Sequence, residues 1–235
     1  MTQLWTIPQT SAPIAGSPDR IPVRRIYCVG RNYLDHIREM KEGDERDDPF
    51  FFQKPTDAVV EDGATVPYPS RTADFQFEGE LVVAIGARAL DIPVEHANEV
   101  VWGYAAGLDL TRRDRQRDCR AMGLSWEAGK AFDHSAPVGP FVPAAAVGDL
   151  ESAALTVTVN GSIAQQTQLS LMIWNVPEIV SHLSADYELR PGDLIFTGTP
   201  AGVSSLVPGD EVAVDIDGIP RLTVTIGKGV EDASH

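Results

Sequence analysis

Glu78 and Glu80 stand two apart in Phe77-Glu78-Gly79-Glu80-Leu81-Val82-Val83-Ala84-Ile85, at the mouth of an otherwise apolar stretch of strand character. Side chains at i and i+2 of a strand share a face, so the two carboxylates point the same way. Like charges that close are costly without a cation between them, and oxygen ligands of this kind select a hard divalent ion such as Mg²⁺ or Mn²⁺. The same spacing also suits the wet face of a half-exposed strand, so further ligands must decide. Asp109 offers one. It ends the nearly uncharged stretch Val100 to Leu110, where an acid is buried at a cost unless it is paired or ligated, the alternative being a solvated strand end. The three acids together make a facial set for one octahedral cation, with positions left for an oxygen substrate and water. No pair of histidines or cluster of cysteines offers a competing zinc geometry.

His36 and Glu39 are three apart on a short helical pattern, and can therefore meet. The carboxylate would accept from one ring nitrogen while the other takes a proton from water, although the pair also serves as an ordinary surface contact. Lys130, one of four lysines, has apolar and aromatic neighbours in Gly129-Lys130-Ala131-Phe132-Asp133. Near carboxylates it stays protonated and can donate to a substrate oxygen or a developing oxyanion; otherwise it snorkels over a strand edge. Gln116 and Thr199 are neutral donors of the type that orient a substrate carboxylate. Phe50, Phe51 and Phe52 read as core or interface rather than as a stacking platform.

These residues must be positioned by short strands. Ile21 to Val29 reads as a first strand stopped by Gly30, and Asn32 as the N-cap of a helix reaching Lys41. The segment Asn32 to Gly43, followed by an acidic run to Asp48, suits a mobile lid or a plain surface excursion. Thr111 to Met122, dense in charge, is a short helix or polar excursion, and Met172 to Leu183 has helical apolar spacing with Pro177 confined to its first turn or a kink. Leu155 to Val159 before Asn160-Gly161, and Glu211 to Ile216 before Asp217-Gly218, are strands entering hairpins. Many short strands with no βαβ rhythm predict a predominantly β, mixed-sheet domain with a few short helices, spanning residues 21–230 behind an N-terminal arm of residues 1–20.

The chain has 235 residues, a formal charge of −15 and a hydrophobic fraction of 43%. So acidic a surface argues against nucleic acid or anionic membrane as partner, and demands a local cation wherever an anionic substrate binds. No apolar run is long enough to span a bilayer, and two cysteines in unrelated contexts, Cys28 and Cys119, point to free thiols and a cytoplasmic location.

Taken in order, Arg25-Ile26-Tyr27-Cys28-Val29-Gly30-Arg31-Asn32-Tyr33-Leu34-Asp35-His36-Ile37-Arg38-Glu39-Met40, Phe52-Gln53-Lys54-Pro55, Glu78-Gly79-Glu80-Leu81, Gly107-Leu108-Asp109 through Gln116, Lys130-Ala131-Phe132-Asp133 and Thr197-Gly198-Thr199-Pro200-Ala201-Gly202-Val203 form a recognisable series. The series resembles the signatures of the fumarylacetoacetate hydrolase family, and within it is similar to small single-domain acylpyruvate and bacterial fumarylpyruvate hydrolases of the gentisate route of aromatic catabolism. The resemblance implies a mixed β-sandwich roll of the family's C-terminal-domain type and a homodimer. It implies one Mg²⁺ or Mn²⁺ per subunit on Glu78, Glu80 and Asp109, with His36 and Glu39 as a water-activating pair on a lid. Lys130, Gln116 and Thr199 would contact substrate or oxyanion, and Arg31 would brace the site. The implied substrate is a dicarboxylic diketo acid, fumarylpyruvate, cleaved to fumarate and pyruvate. Alternatives are oxaloacetate decarboxylation or tautomerisation, another acylpyruvate hydrolase or isomerase activity, or a metal-stabilised binding or structural domain. Arg38, Arg31 and Arg112 are the candidates for the distal carboxylate.

Overall fold

The computed structural model describes residues 4–40, 47–148 and 150–229. Strands are β1 (Arg25–Gly30), β2 (Phe50–Lys54), β3 (Val59–Glu61), β4 (Thr65–Pro67), β5 (Gly79–Ile85), β6 (Val101–Leu108), β7 (Ala136–Val138), β8 (Ala154–Val159), β9 (Ser162–Gln168), β10 (Asp193–Phe196), β11 (Glu211–Ile216) and β12 (Ile219–Gly227). Helices are α1 (Leu34–Met40), α2 (Arg113–Ala121), α3 (Glu127–Lys130) and α4 (Val176–Asp186). One mixed sheet runs β2-β1-β10-β5-β6-β7-β3, with Val142–Pro143 added beside β6; the second runs β9-β8-β11-β12-β4. Pairing is antiparallel except at β10–β1, β7–β3 and β12–β4. The protein is thus predominantly β with a few short helices, as the strand grammar predicts. Both hairpins form at the expected turns, Asn160-Gly161 and Asp217-Gly218.

All seven residues of β5 are buried, because this strand lies inside its sheet with apolar layers on both faces. Leu81, Val83 and Ile85 join the core against the five-stranded sheet, with Val157, Val214 and Val224. Val82 and Ala84 face the other way, into a second core with Cys28, Phe141 and Phe196. Glu80 shares the parity of Val82, and β5 therefore delivers its acid on that second face, at the strand's open end.

Three expected boundaries shift. The first strand divides into Arg20–Pro22 and β1, because the chain leaves its ribbon partner Ser11–Pro13 before joining β10. Asn32 is no cap for α1: it is fully buried, its amide donates to Trp174 O at 2.9 Å and Thr197 O at 2.7 Å, and its carbonyl accepts from Trp174 N at 2.8 Å. The later helix starts at Val176 rather than Met172, since Asn175 and Glu178 form a reciprocal capping box with Pro177 in the first turn. Of the expected lid and acidic run, residues 41–46 lie outside the described residues. Among those described, no helix is long and apolar enough to cross a membrane.

Candidate active site

Pairing of β5 with β6 sets Glu80 opposite Gly107, and Asp109 N donates to Glu78 O at 2.9 Å, so the two strand ends carry their acids to one point. Glu78, Glu80 and Asp109 are 5%, 1% and 1% exposed, and one oxygen from each lies within 4.8 Å of the others. The wet-face reading of the glutamates and the solvated-end reading of Asp109 are therefore wrong. Gly79, between the glutamates, faces β8 so closely that a Cβ would lie 2.2 Å from Val157 Cγ2. Its amide donates to Gln165 Oε1 at 2.9 Å; Gln165 Nε2 donates to Thr199 Oγ1 at 2.9 Å, and Thr199 returns a hydrogen bond to Gly79 O at 3.0 Å. This closed ring locks the segment carrying both acids to the turn after β10. From that turn Gly198, at φ +97°, donates its amide to Glu80 Oε2 at 2.7 Å.

Three buried cations face the three acids. Lys130 Nζ donates to Glu78 Oε2 and Asp109 Oδ2, both at 2.7 Å, and to Thr111 Oγ1 at 2.8 Å, which uses all three of its protons. Arg113 reaches Glu78 Oε1 at 2.5 Å, Gln116 Oε1 at 2.5 Å and Gln76 Oε1 at 2.8 Å. Lys54 donates to Leu110 O at 3.1 Å and to Lys130 O, and its Nζ stands 2.8 Å from Asp109 Oδ1 without hydrogen-bond alignment. Burial alone would raise the Glu78 carboxyl, but Lys130 and Arg113 outweigh it and hold the group well below the usual carboxylate range. Among the described residues no cationic side chain bonds Glu80; burial, then the charges of Asp109 and Glu78, push its carboxyl well up. Burial opposes the charge on Lys130, yet Asp109 and Glu78 raise it above its ordinary value, so the ammonium persists.

The donor set fits a hard divalent cation. It consists of carboxylate oxygens alone, one of which, Asp109 Oδ1, is buried without a hydrogen bond. Glu78, Glu80 and Asp109 would hold the ion.

His36 on α1 is 9% exposed, with Nδ1 3.3 Å from Glu39 Oε2. The expected i,i+3 pair is therefore formed, and both Glu39 oxygens also accept from Gly202 N at 3.2 Å. The hydrogen bond from His36, reinforced by Gly202, lowers the Glu39 carboxyl despite partial burial. Arg31, His36, Glu78, Glu80, Gln116, Lys130 and Thr199 all line one cavity of about 30 Å³. Asp109 lies behind it, tied in through Lys130, and Glu39 reaches it through His36. Arg113, Lys54 and Gln165 are the residues that sequence reasoning passed over. Arg113 had one usable signal, its i,i+3 relation to Gln116 on the buried side of α2.

The sequence profile of the fumarylacetoacetate (FAA) hydrolase C-terminal region matches residues 25–227. The chain belongs to that family. It is similar to a fumarylpyruvate hydrolase of Ralstonia sp., 43% identical over 178 residues, which is 76% of this chain and 92% of that protein. A crystal structure of fumarylpyruvate hydrolase from Pseudomonas aeruginosa in complex with Mn²⁺ and pyruvate superposes with a TM-score of 0.94 at 49% identity, covering 97% of this chain and all of that one. A mitochondrial oxaloacetate tautomerase of Homo sapiens is 38% identical over 205 residues, 87% of this chain and 92% of that protein. Both relatives and fold place this chain among the small members of the fumarylacetoacetate hydrolase family.

Proposed function

We propose that this protein is a divalent-metal-dependent hydrolase that cleaves the carbon–carbon bond of a 2,4-diketo acid, with fumarylpyruvate, giving fumarate and pyruvate, as the favoured substrate. The observation that carries this reading is that Glu78, Glu80 and His36 line one cavity, with Asp109 clustered behind the glutamates and Glu39 paired to His36. The likeness to the P. aeruginosa enzyme solved with Mn²⁺ and pyruvate supports it.

When bound, Mg²⁺ or Mn²⁺, one per subunit, supplies a Lewis acid for negative charge developing on substrate oxygens. His36 takes a proton from water, with its ring fixed by Glu39, which Gly202 N holds in turn. The water oxygen adds to the distal carbonyl carbon; the bond between that carbon and the methylene breaks, its electron pair stays with the pyruvate fragment, and a proton then completes pyruvate. Lys130 steadies charge on the attacked oxygen by exchanging its Thr111 hydrogen bond for one to substrate. Arg31, Gln116 and Thr199 orient the substrate from the cavity wall. The protein is proposed to act as a homodimer in the cytoplasm, on a small dicarboxylic diketo acid.

The likeness to oxaloacetate tautomerases favours a second reading, in which the same acids serve an enolisation that needs no hydrolytic water and His36 is secondary. Assays with Mg²⁺ and then Mn²⁺ on fumarylpyruvate, acetylpyruvate and oxaloacetate separate the two. Metal-dependent release of pyruvate from fumarylpyruvate is expected; turnover of oxaloacetate alone would overturn hydrolysis in favour of tautomerisation.

A further inference from the structure

The cavity that holds the reactive residues, about 30 Å³, has room for a water or two and not for a diketo acid. Beside it lies a cleft of about 760 Å³, and three residues, Arg31, Phe52 and Trp126, line both. A substrate whose reacting carbons reach the acids must therefore extend past these three into the cleft. We propose that this outer cleft is the subsite for the substrate's acyl tail and that Arg120 binds the tail's distal carboxylate, a reading that rests on the diketo acid hydrolysis proposed above.

The walls suit a flat, conjugated chain. Phe50 and Phe52 both pack on Trp126, with ring centroids 4.9 Å and 5.8 Å away, and Phe50 is left 43% exposed on the cleft side of the sheet edge. An aromatic group of this kind gives apolar cover and ring faces for a planar enoyl segment.

The cation is placed at the right remove. Gln116 lines the inner cavity and Arg120 the outer cleft, and both belong to α2. At i and i+4 they share a face and are separated by about one helical turn, roughly 6 Å along the axis, which is the reach of a four-carbon dicarboxylic acyl group. Arg31 sits at the junction, close to the reacting end. Among the described residues that line the cleft, Arg31 and Arg120 are cationic and Glu127 is acidic. A guanidinium presents parallel N–H donors, the geometry that a terminal carboxylate accepts. Of the other candidates, neither Arg38 nor Arg112 lines the cavity or the cleft.

The test compares fumarylpyruvate with acetylpyruvate, which lacks the distal carboxylate, in the parent and in Arg120→Gln and Arg120→Lys. Arg120→Gln is expected to lower the ratio of the two kcat/KM values at least tenfold, through KM for fumarylpyruvate, with Arg120→Lys recovering part of it. A ratio within threefold of the parent overturns the assignment. Should the parent hydrolyse neither compound, hydrolysis itself fails, and calorimetry with the Mn²⁺-loaded protein decides the subsite. Fumarate binding weakened at least tenfold by Arg120→Gln, with crotonate little changed, supports it; absent fumarate binding, or equal fumarate affinity in the two proteins, overturns it.

Discussion

Replacing Lys130 with methionine removes a cation while keeping much of the side-chain volume, and its effect can be worked from the contacts. The ammonium is 2% exposed and lies 2.7 Å from one oxygen each of Glu78 and Asp109. Deleting one partner of such a buried set costs about 3–5 kcal/mol, because Glu78 keeps Arg113 and Asp109 keeps Lys54 but each loses a cation with no water to replace it. Proton uptake limits the loss. For Glu78, with an ordinary value of 4.5, neutralisation at pH 7 costs about 3.4 kcal/mol, and less as pH falls. In the parent the Glu78 carboxyl is depressed, so its contribution is present above 4.5 and is lost only as pH drops through its low folded value. The parent is accordingly flat in this respect between pH 7 and 5.5, whereas the variant recovers about 2 kcal/mol as Glu78 protonates more cheaply. Urea unfolding in EDTA should show a deficit of about 3–5 kcal/mol at pH 7 that narrows at pH 5.5, and added Mn²⁺ should narrow it at either pH. A deficit below about 1 kcal/mol at pH 7, or one that widens on acidification, would refute the reasoning.

His36→Ala should lower kcat on fumarylpyruvate by about 10² to 10⁴ while calorimetric Mn²⁺ affinity and any oxaloacetate turnover change much less; hydrolysis within threefold of the parent would remove the proposed base. Gly79→Ala drives a methyl to 2.2 Å from Val157 Cγ2 and should cost about 1–3 kcal/mol, so an unchanged Tm would sink the close-approach argument. Cys28 is fully buried, and burial pushes its thiol well up, so an aromatic disulfide reagent at pH 8 should label it only after denaturant is added; rapid labelling of the native protein is the contrary result.

What the sequence made legible is what short-range periodicity carries. The two-residue spacing of Glu78 and Glu80 survives as a shared face because a strand preserves parity, and the three-residue spacing of His36 and Glu39 survives as a contact because a helix preserves its turn. The depth of the glutamates was not legible, since burial depends on strands brought alongside from distant parts of the chain, β10 and β6. Arg113 was hidden for a similar reason: it is one of several arginines in a polar stretch until the fold sets Glu78 opposite it. Asn32 shows the limit most plainly, because the side chain that suits a helix cap suits equally well a clasp on Trp174 and Thr197, more than 140 residues away. Residue type singled out Gln116, Lys130 and Thr199, the family resemblance added Arg31, and all four line one cavity.

The acid cluster brings its own counterions. Lys54, Lys130 and Arg113 match Glu78, Glu80 and Asp109 in number, all six of them inside the protein. A chamber so balanced carries no surplus of negative charge to burst it apart, and the polypeptide can reach its native shape before any ion arrives, unlike small domains that stay unfolded until zinc is supplied. Biogenesis then runs in two stages, with a finished vessel made first and filled later. A divalent ion added to a site that already holds three cationic side chains leaves it positive, and the carboxylate of the incoming substrate offsets that charge, so cation and anion each improve the other's welcome.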